Sequence, residues 1–223
     1  MRYLSSDEVL SAVTPRDAVE ALRNALKGGF DPATDPHRQK VALPHGAMHL
    51  LPSALDEAVG VKVLGIQPPG SDVDVPLVQG SYLLMGGEPL TPEVVVDAAA
   101  LTEVRTPAVA VAGVLDRLRA SSEPLECVIV GAGVQGRAHA RTVVDVLEGV
   151  REVSVTFISR SEPADLPYPW VESGSTAADE ALGRAGLVVV ATSAGEPVVV
   201  DRQLRPDATV LAVGAHTVDT REL

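Results

Sequence analysis

A glycine-rich turn, Gly131-Ala132-Gly133-Val134-Gln135-Gly136, directly follows the apolar run Cys127-Val128-Ile129-Val130 and opens a segment with helical spacing. Glycines placed this way permit a tight turn, let a pyrophosphate approach the backbone and aim a helix N-terminus at negative charge. The alternative is a chance glycine turn in another α/β protein. After the next apolar run stand Ser159, Arg160 and Ser161, hydroxyls around a guanidinium that can fork onto a 2′-phosphate. That favours NADP(H) as the cofactor; NAD(H) is the other possibility, with Arg160 solvated and Glu162 on the ribose hydroxyls. Thr192, Ser193 and Val213 close later strands, whose ends line such a cofactor crevice. His37, His45 and His139 show no metal-ligand spacing with Cys, Asp or Glu, so no metal site is expected.

The elements that must position these residues are legible from periodicity. Ser5 and Ser6 precede one short helix, and Thr14-Pro15-Arg16-Asp17 caps a second that ends at Gly28-Gly29. Short Val/Leu/Ile runs at 40–43, 46–51, 59–66 and 78–85, with 94–96 as an addition, predict antiparallel strands bounded by Pro and Gly. A helix is expected to start near Thr106-Pro107, and Ser121-Ser122-Glu123-Pro124 reads as a linker. Beyond it strands at 125–130, 153–158, 187–191 and 209–213 alternate with helices at 135–147 and 176–182, which implies a parallel sheet. The expected division is a domain over residues 1–120 and a Rossmann-type domain over 121–223.

Composition narrows the classes. The chain has 223 residues, 46% of them hydrophobic, with 18 basic and 30 acidic side chains and a net charge of -12. That balance argues against nucleic acid or anionic membrane as a partner, since both need a basic footprint. No uninterrupted apolar run suggests a membrane span. The single cysteine, Cys127, has no internal disulfide partner, and the first residues lack the pattern of a secretory signal, so the cytoplasm is the expected compartment.

Further blocks then fall into a known order. Leu101-Thr102-Glu103-Val104-Arg105-Thr106-Pro107-Ala108 resembles the LTxxRTxA signature of the ornithine cyclodeaminase/mu-crystallin family. The turn at 131–136, Ala191 to Val199 and Val213 to Leu223 are similar to its later blocks, and Arg38, Leu51-Pro52 and Gly60-Val61-Lys62 to its earlier landmarks. The resemblance implies an N-terminal α+β substrate and dimerisation domain joined to a Rossmann domain, a homodimer, and a nicotinamide cofactor lying between the two domains. It also implies that Arg38, Lys62 and Arg105 gather round a substrate carboxylate and that Thr106 contacts the cofactor. Taken singly each cation reads equally well as a surface charge or salt bridge. Lys62 lies among apolar strand neighbours, which can lower its pKa and let it pass a proton. Members of the family continue past the Arg221-Glu222-Leu223 block, so a C-terminally short member with an incomplete Rossmann domain is expected.

Two departures shape the functional reading. Where ornithine-deaminating members carry acids, this chain has His49 and His216, which supply no fixed negative charge for a distal amine but can exchange protons or bind a carboxylate. Pro107 also replaces the small residue usual inside the RTxA motif. The resemblance therefore implies an NAD(P)H-dependent oxidoreductase acting on the C–N bond of a small amino or imino acid. Lys62 or His216 would move the proton, and Arg38, His49, Lys62 and Arg105 would bind substrate. The alternatives are an amino-acid cyclodeaminase and a catalytically silent nicotinamide-binding protein.

Overall fold

The computed structural model describes residues 1–55, 58–68, 75–76, 78–214 and 221–223. The chain divides into two compact units, Met1–Arg105 and Thr106–Leu223. The division falls inside the helix that spans Ala98–Arg119.

In the first unit β1 (Arg2–Leu4) is followed by helices α1 (Ser6–Ala12) and α2 (Pro15–Lys27). Ser5 and Glu8 form a reciprocal capping box on α1. On α2 the Asp17 N–H donates to Thr14 Oγ1 at 3.1 Å, with Pro15 in the first turn. Then come β2 (Gln39–Leu43), β3 (Gly46–Leu55), β4 (Ala58–Ile66), β5 (Val78–Gly86) and β6 (Thr91–Asp97). The sheet order is β1-β6-β5-β4-β3-β2, with β1 parallel to β6 and the remaining pairs antiparallel. β1 was too short to be read from sequence. β3 runs past Pro52, where the sequence reading ended it. The reason is local: β2 reaches only Leu50 in the pairing, so Pro52 lies where β3 has lost that neighbour and needs no donor on that side.

Helix α3 spans Ala98–Arg119 with Pro107 in its interior, which corrects the expected start at Thr106-Pro107. Asp97 is the reason, since its Oδ1 accepts the Ala100 N–H at 2.8 Å and caps the helix. Pro107 removes one helical donor but does not end the helix. By length and composition α3 is also, among the described residues, a helix that could cross a bilayer, a feature the sequence reading passed over. Ala108, Val111, Ala112, Leu115 and Leu118 are nevertheless buried, as in a core helix.

The second unit contains β7 (Leu125–Val130), α4 (Val134–Leu147), β8 (Val153–Ser159), β9 (Trp170–Glu172), α5 (Thr176–Arg184), β10 (Leu187–Val190) and β11 (Thr209–Ala212). All strands are parallel in the order β11-β10-β7-β8-β9. This is a doubly wound Rossmann arrangement whose order reverses between β7 and β10, the place where such sheets bind ligands beyond their carboxyl ends. Both sheet faces are covered, so β10 is a continuous buried run of Leu and Val. Val128, Val130, Ile158, Val188 and Val190 pack with Ala178, Ala181 and Leu182 of α5. On the opposite face Gly136 of α4 sits over Ile129.

Gly136 and Gly133 play separable roles. A Cβ at Gly136 would fall on the Gly131 carbonyl oxygen, whereas one at Gly133 meets nothing within 4 Å. Gly136→Ala is expected to lower unfolding free energy by about 1–3 kcal/mol, through overpacking of the added methyl against the Gly131 carbonyl, and Gly133→Ala to change it by less than about 1 kcal/mol. Urea titration of the two variants checks this.

Candidate active site and nucleotide cleft

Lys62 sits in β4 with Leu51 of β3 on one side and Tyr82 of β5 on the other. Directly opposed residues of antiparallel strands share a face, as do residues two apart, so His49, Leu51, Lys62 and Tyr82 lie on one face. Gly60 keeps that face passable, because a Cβ there would strike the Tyr82 hydroxyl. Lys62 is 8% exposed, and its Nζ donates to Thr102 Oγ1 at 3.4 Å. Thr102 in turn donates to the Ala98 carbonyl at 2.6 Å. Since α3 already runs through this segment, Thr102 and Arg105 stand one turn apart on the same helix face. The early helix start is therefore what brings both to Lys62.

The electrostatics identify the cluster. Desolvation lowers the Lys62 ammonium from its ordinary 10.5 to about 8, and the positive charges of Arg105 and then Arg38 add to the effect. Arg105 is itself lowered, first by desolvation of its head group and then by Arg38, although the side chain as a whole is exposed. Arg38 is exposed just before β2. Among the described residues no acidic group stands within ion-pair distance of any of the three. Three cations near one another with no carboxylate in ion-pair contact, the nearest acidic influence on this face being that of Asp35 on Tyr82, form a site that a small anion would complete. His49 is half-buried on the same face, opposite Leu64 and so two residues along the strand from Lys62. His216 lies outside the described residues.

In the second unit a cleft of about 900 Å³ opens at the carboxyl ends of β7, β8, β10 and β11. Gly131, Gly133, Val134, Gln135, Ser159, Arg160, Ser161, Thr192, Ser193 and Val213 all line it. Gly136 does not, consistent with a packing role, and Thr106 does not either: its buried Oγ1 has no hydrogen-bond partner among the described residues. Gly131 has φ +105°, and a Cβ there would meet the Ala191 carbonyl, so the turn needs glycine twice over. Among the described residues no side chain caps α4 at Gly133. Its first N–H groups thus face the cleft as an anion cradle, and open space above Gly133 admits a phosphate. These features fit a dinucleotide. Arg160 and Ser161 reach the cleft while Glu162 is not among its lining residues.

Sequence reasoning missed two supports. Arg137 donates from Nε to the Ala132 carbonyl at 3.1 Å, from Nη2 to Ala164 at 2.7 Å and from Nη1 to Asp165 at 3.1 Å. It thereby ties the glycine turn to the loop after β8. That loop is held further by Ser159, which donates to the Ser161 carbonyl and accepts from the Trp170 indole, both at 2.7 Å. The second support is Glu222, whose carboxylate is buried behind the cleft. Its flanking Arg221 and Leu223 gave no periodic signal of burial. Among the described residues no group of His, Cys, Asp or Glu is arranged to hold a metal ion.

The chain is similar to known proteins. The chain is 30% identical over 228 residues to the Delta(1)-pyrroline-2-carboxylate reductase of Paracoccus denitrificans, covering 99% of this chain and 70% of that one. It is 30% identical over 236 residues to the ketimine reductase mu-crystallin of Mus musculus, covering 99% and 73%. The solved Thermococcus litoralis Delta(1)-pyrroline-2-carboxylate reductase, in complex with NADH and L-proline, superposes with a TM-score of 0.76 at 25% identity, over 96% of this chain and 68% of that one. The sequence pattern of one family matches residues 5–223. By that match and by the architecture of both units, the chain belongs to the ornithine cyclodeaminase/mu-crystallin family.

Proposed function

We propose that this chain, an NAD(P)H-dependent oxidoreductase acting on the C–N bond of a small amino or imino acid, works as an imino-acid reductase that favours NADPH. The observation that carries the reading is the cluster of Arg38, Lys62 and Arg105 with no acidic partner among the described residues. The guanidinium groups orient a substrate carboxylate, and holding it in one pose supplies much of the rate. Lys62 adds a charge to that grip and, with a pKa near 8, gives a proton to the imine nitrogen as the carbon is reduced. His49 approaches the same substrate from β3. The dinucleotide is held by Gly131 to Gln135, Thr192, Ser193 and Val213, and when bound it supplies the hydride. Arg160 and Ser161 would take a 2′-phosphate, which supports NADPH over NADH. Exposed β2 at the sheet edge supports association of two copies through the first unit.

The direct test incubates the protein with NADPH and a panel of cyclic imino acids, or keto acids with ammonia or amines, and follows nicotinamide oxidation. At least one cyclic imino acid should be turned over; tight NADPH binding without any turnover sinks the reductase reading. Cofactor choice is tested separately by Arg160→Ala. It should weaken NADPH binding on the order of tenfold while leaving NADH within about twofold, as measured by fluorescence titration.

Lys62 couples activity to stability with opposite signs. In the unfolded chain its pKa returns to the ordinary 10.5, so between about pH 8 and 10.5 the unfolded state binds more protons and stability rises with pH. Below pH 8 the native state carries the unfavourable charge in full. Lys62→Met should therefore raise unfolding free energy at pH 7 by about 1–3 kcal/mol while abolishing most turnover. In the parent, kcat/KM should fall as pH rises through about 8. Urea titrations and a pH–rate profile check the two trends.

A further inference from the structure

Glu222 is 2% exposed, yet it is a carboxylate, and burying one is costly unless donors surround it. Its Oε1 accepts from the Thr192 N–H at 2.8 Å and from the Thr192 hydroxyl at 2.9 Å, and its Oε2 accepts from the Gly214 N–H. Its own carbonyl accepts the Val198 N–H at 3.1 Å. One residue thus joins the loop after β10 to the end of β11, and Thr192, Val198 and Gly214 all line the nucleotide cleft. The fit leaves little slack. A Cβ on Gly214 would strike the Thr192 carbonyl and the Glu222 carboxylate, and one on Gly131 would meet Thr192 Cγ2 as well as the Ala191 carbonyl. The network therefore abuts the glycine turn itself.

The sheet order says which part of a dinucleotide this network serves. In a doubly wound sheet the turn after the first strand, here β7, takes the pyrophosphate, and the end of the next strand, here β8, takes the adenosine ribose. The ends of β10 and β11, on the other side of β7, remain for the nicotinamide half. We propose that Glu222 is a positioning residue for the nicotinamide half of the cofactor, fixing Thr192 and Gly214 through a carboxylate that touches neither cofactor nor substrate. The inference rests on the nicotinamide reading above and adds to it a residue that acts on one half of the nucleotide only.

That selectivity is what the experiment reads. Dissociation constants of the full chain are measured for NADPH and for adenosine 2′,5′-bisphosphate, with NADH and ADP alongside so that the result is independent of the preferred nucleotide. Glu222→Gln offers an amide nitrogen where a donor must be accepted. It should weaken the dinucleotide on the order of tenfold and leave the adenosine fragment within about twofold. Thr192→Val, which removes one donor and keeps the carboxylate, should show the same selectivity at smaller amplitude, and it decides the matter if Glu222→Gln does not fold. Equal weakening of both ligands, or no weakening of either, overturns the proposal, because a purely structural role cannot distinguish the halves. A parent chain that binds the adenosine fragments but no dinucleotide better than these overturns the nicotinamide reading itself, and this inference with it.

Discussion

A lysine ammonium held out of water beside two guanidinium groups is the constraint on which the first unit is built. Desolvation and like-charge repulsion both oppose it, so the surrounding framework must hold Lys62 where its solvation is poor. The sheet does so by register. Leu51 and Tyr82 flank Lys62 across the two neighbouring strands, and a slip of one residue would move the lysine to the opposite face. Helix α3 does so by continuity, carrying Thr102 and Arg105 to the same place one turn apart. On the proposed reading a bound carboxylate would relieve the repulsion, turning strain in the cluster into affinity for substrate.

The second unit offers an anion a site of a different kind. Its cleft relies on uncapped helix N–H groups and on the absence of side chains, with Arg160 as an exposed cation at the rim. The glycines act differently from one another. Gly131 supplies a positive φ, Gly136 lets α4 sit down on β7, and Gly133 leaves open space. Backbone dipoles do not change with protonation. Lys62, by contrast, changes charge near neutrality, which suits a step that moves a proton.

Most of the second unit was legible because its signals are local. A buried parallel strand is a continuous apolar run, and a glycine turn has to lie between strand and helix, so strands 125–130 and 187–190 and the turn at 131–136 stand out. The misses have physical causes. β1 and β9 are three residues each, too short for a period to show. Pro52 reads as a strand end and Pro107 as a helix start, yet one lies where its strand has lost a partner and the other inside a helix whose cap at Asp97 already starts it nine residues earlier. The cation cluster was suggested by family resemblance and not by spacing, because proximity of residues 38, 62 and 105 is a tertiary fact. Glu222 was invisible for the same reason: its donors are two backbone N–H groups and one threonine hydroxyl, 8 and 30 residues away, and no local pattern announces them.

The acidic chain as a whole adds a last constraint. With a net charge of -12, the average field repels both a dinucleotide and a small carboxylate. At physiological ionic strength, however, exposed charges are screened beyond roughly 8 Å, so a distant acidic surface contributes little at either site. What remains is the local field: in the first unit Lys62 of β4, Arg105 of α3 and Arg38 before β2 gather as three cations, and in the second a helix N-terminus and the exposed Arg160 face the cleft while the Glu222 carboxylate behind it is taken up by its own donors. Screening weakens with burial, so Lys62 keeps its electrostatic influence where an exposed lysine would lose it. Net charge therefore contributes little at either cluster, where the field is set by groups only a few residues in number.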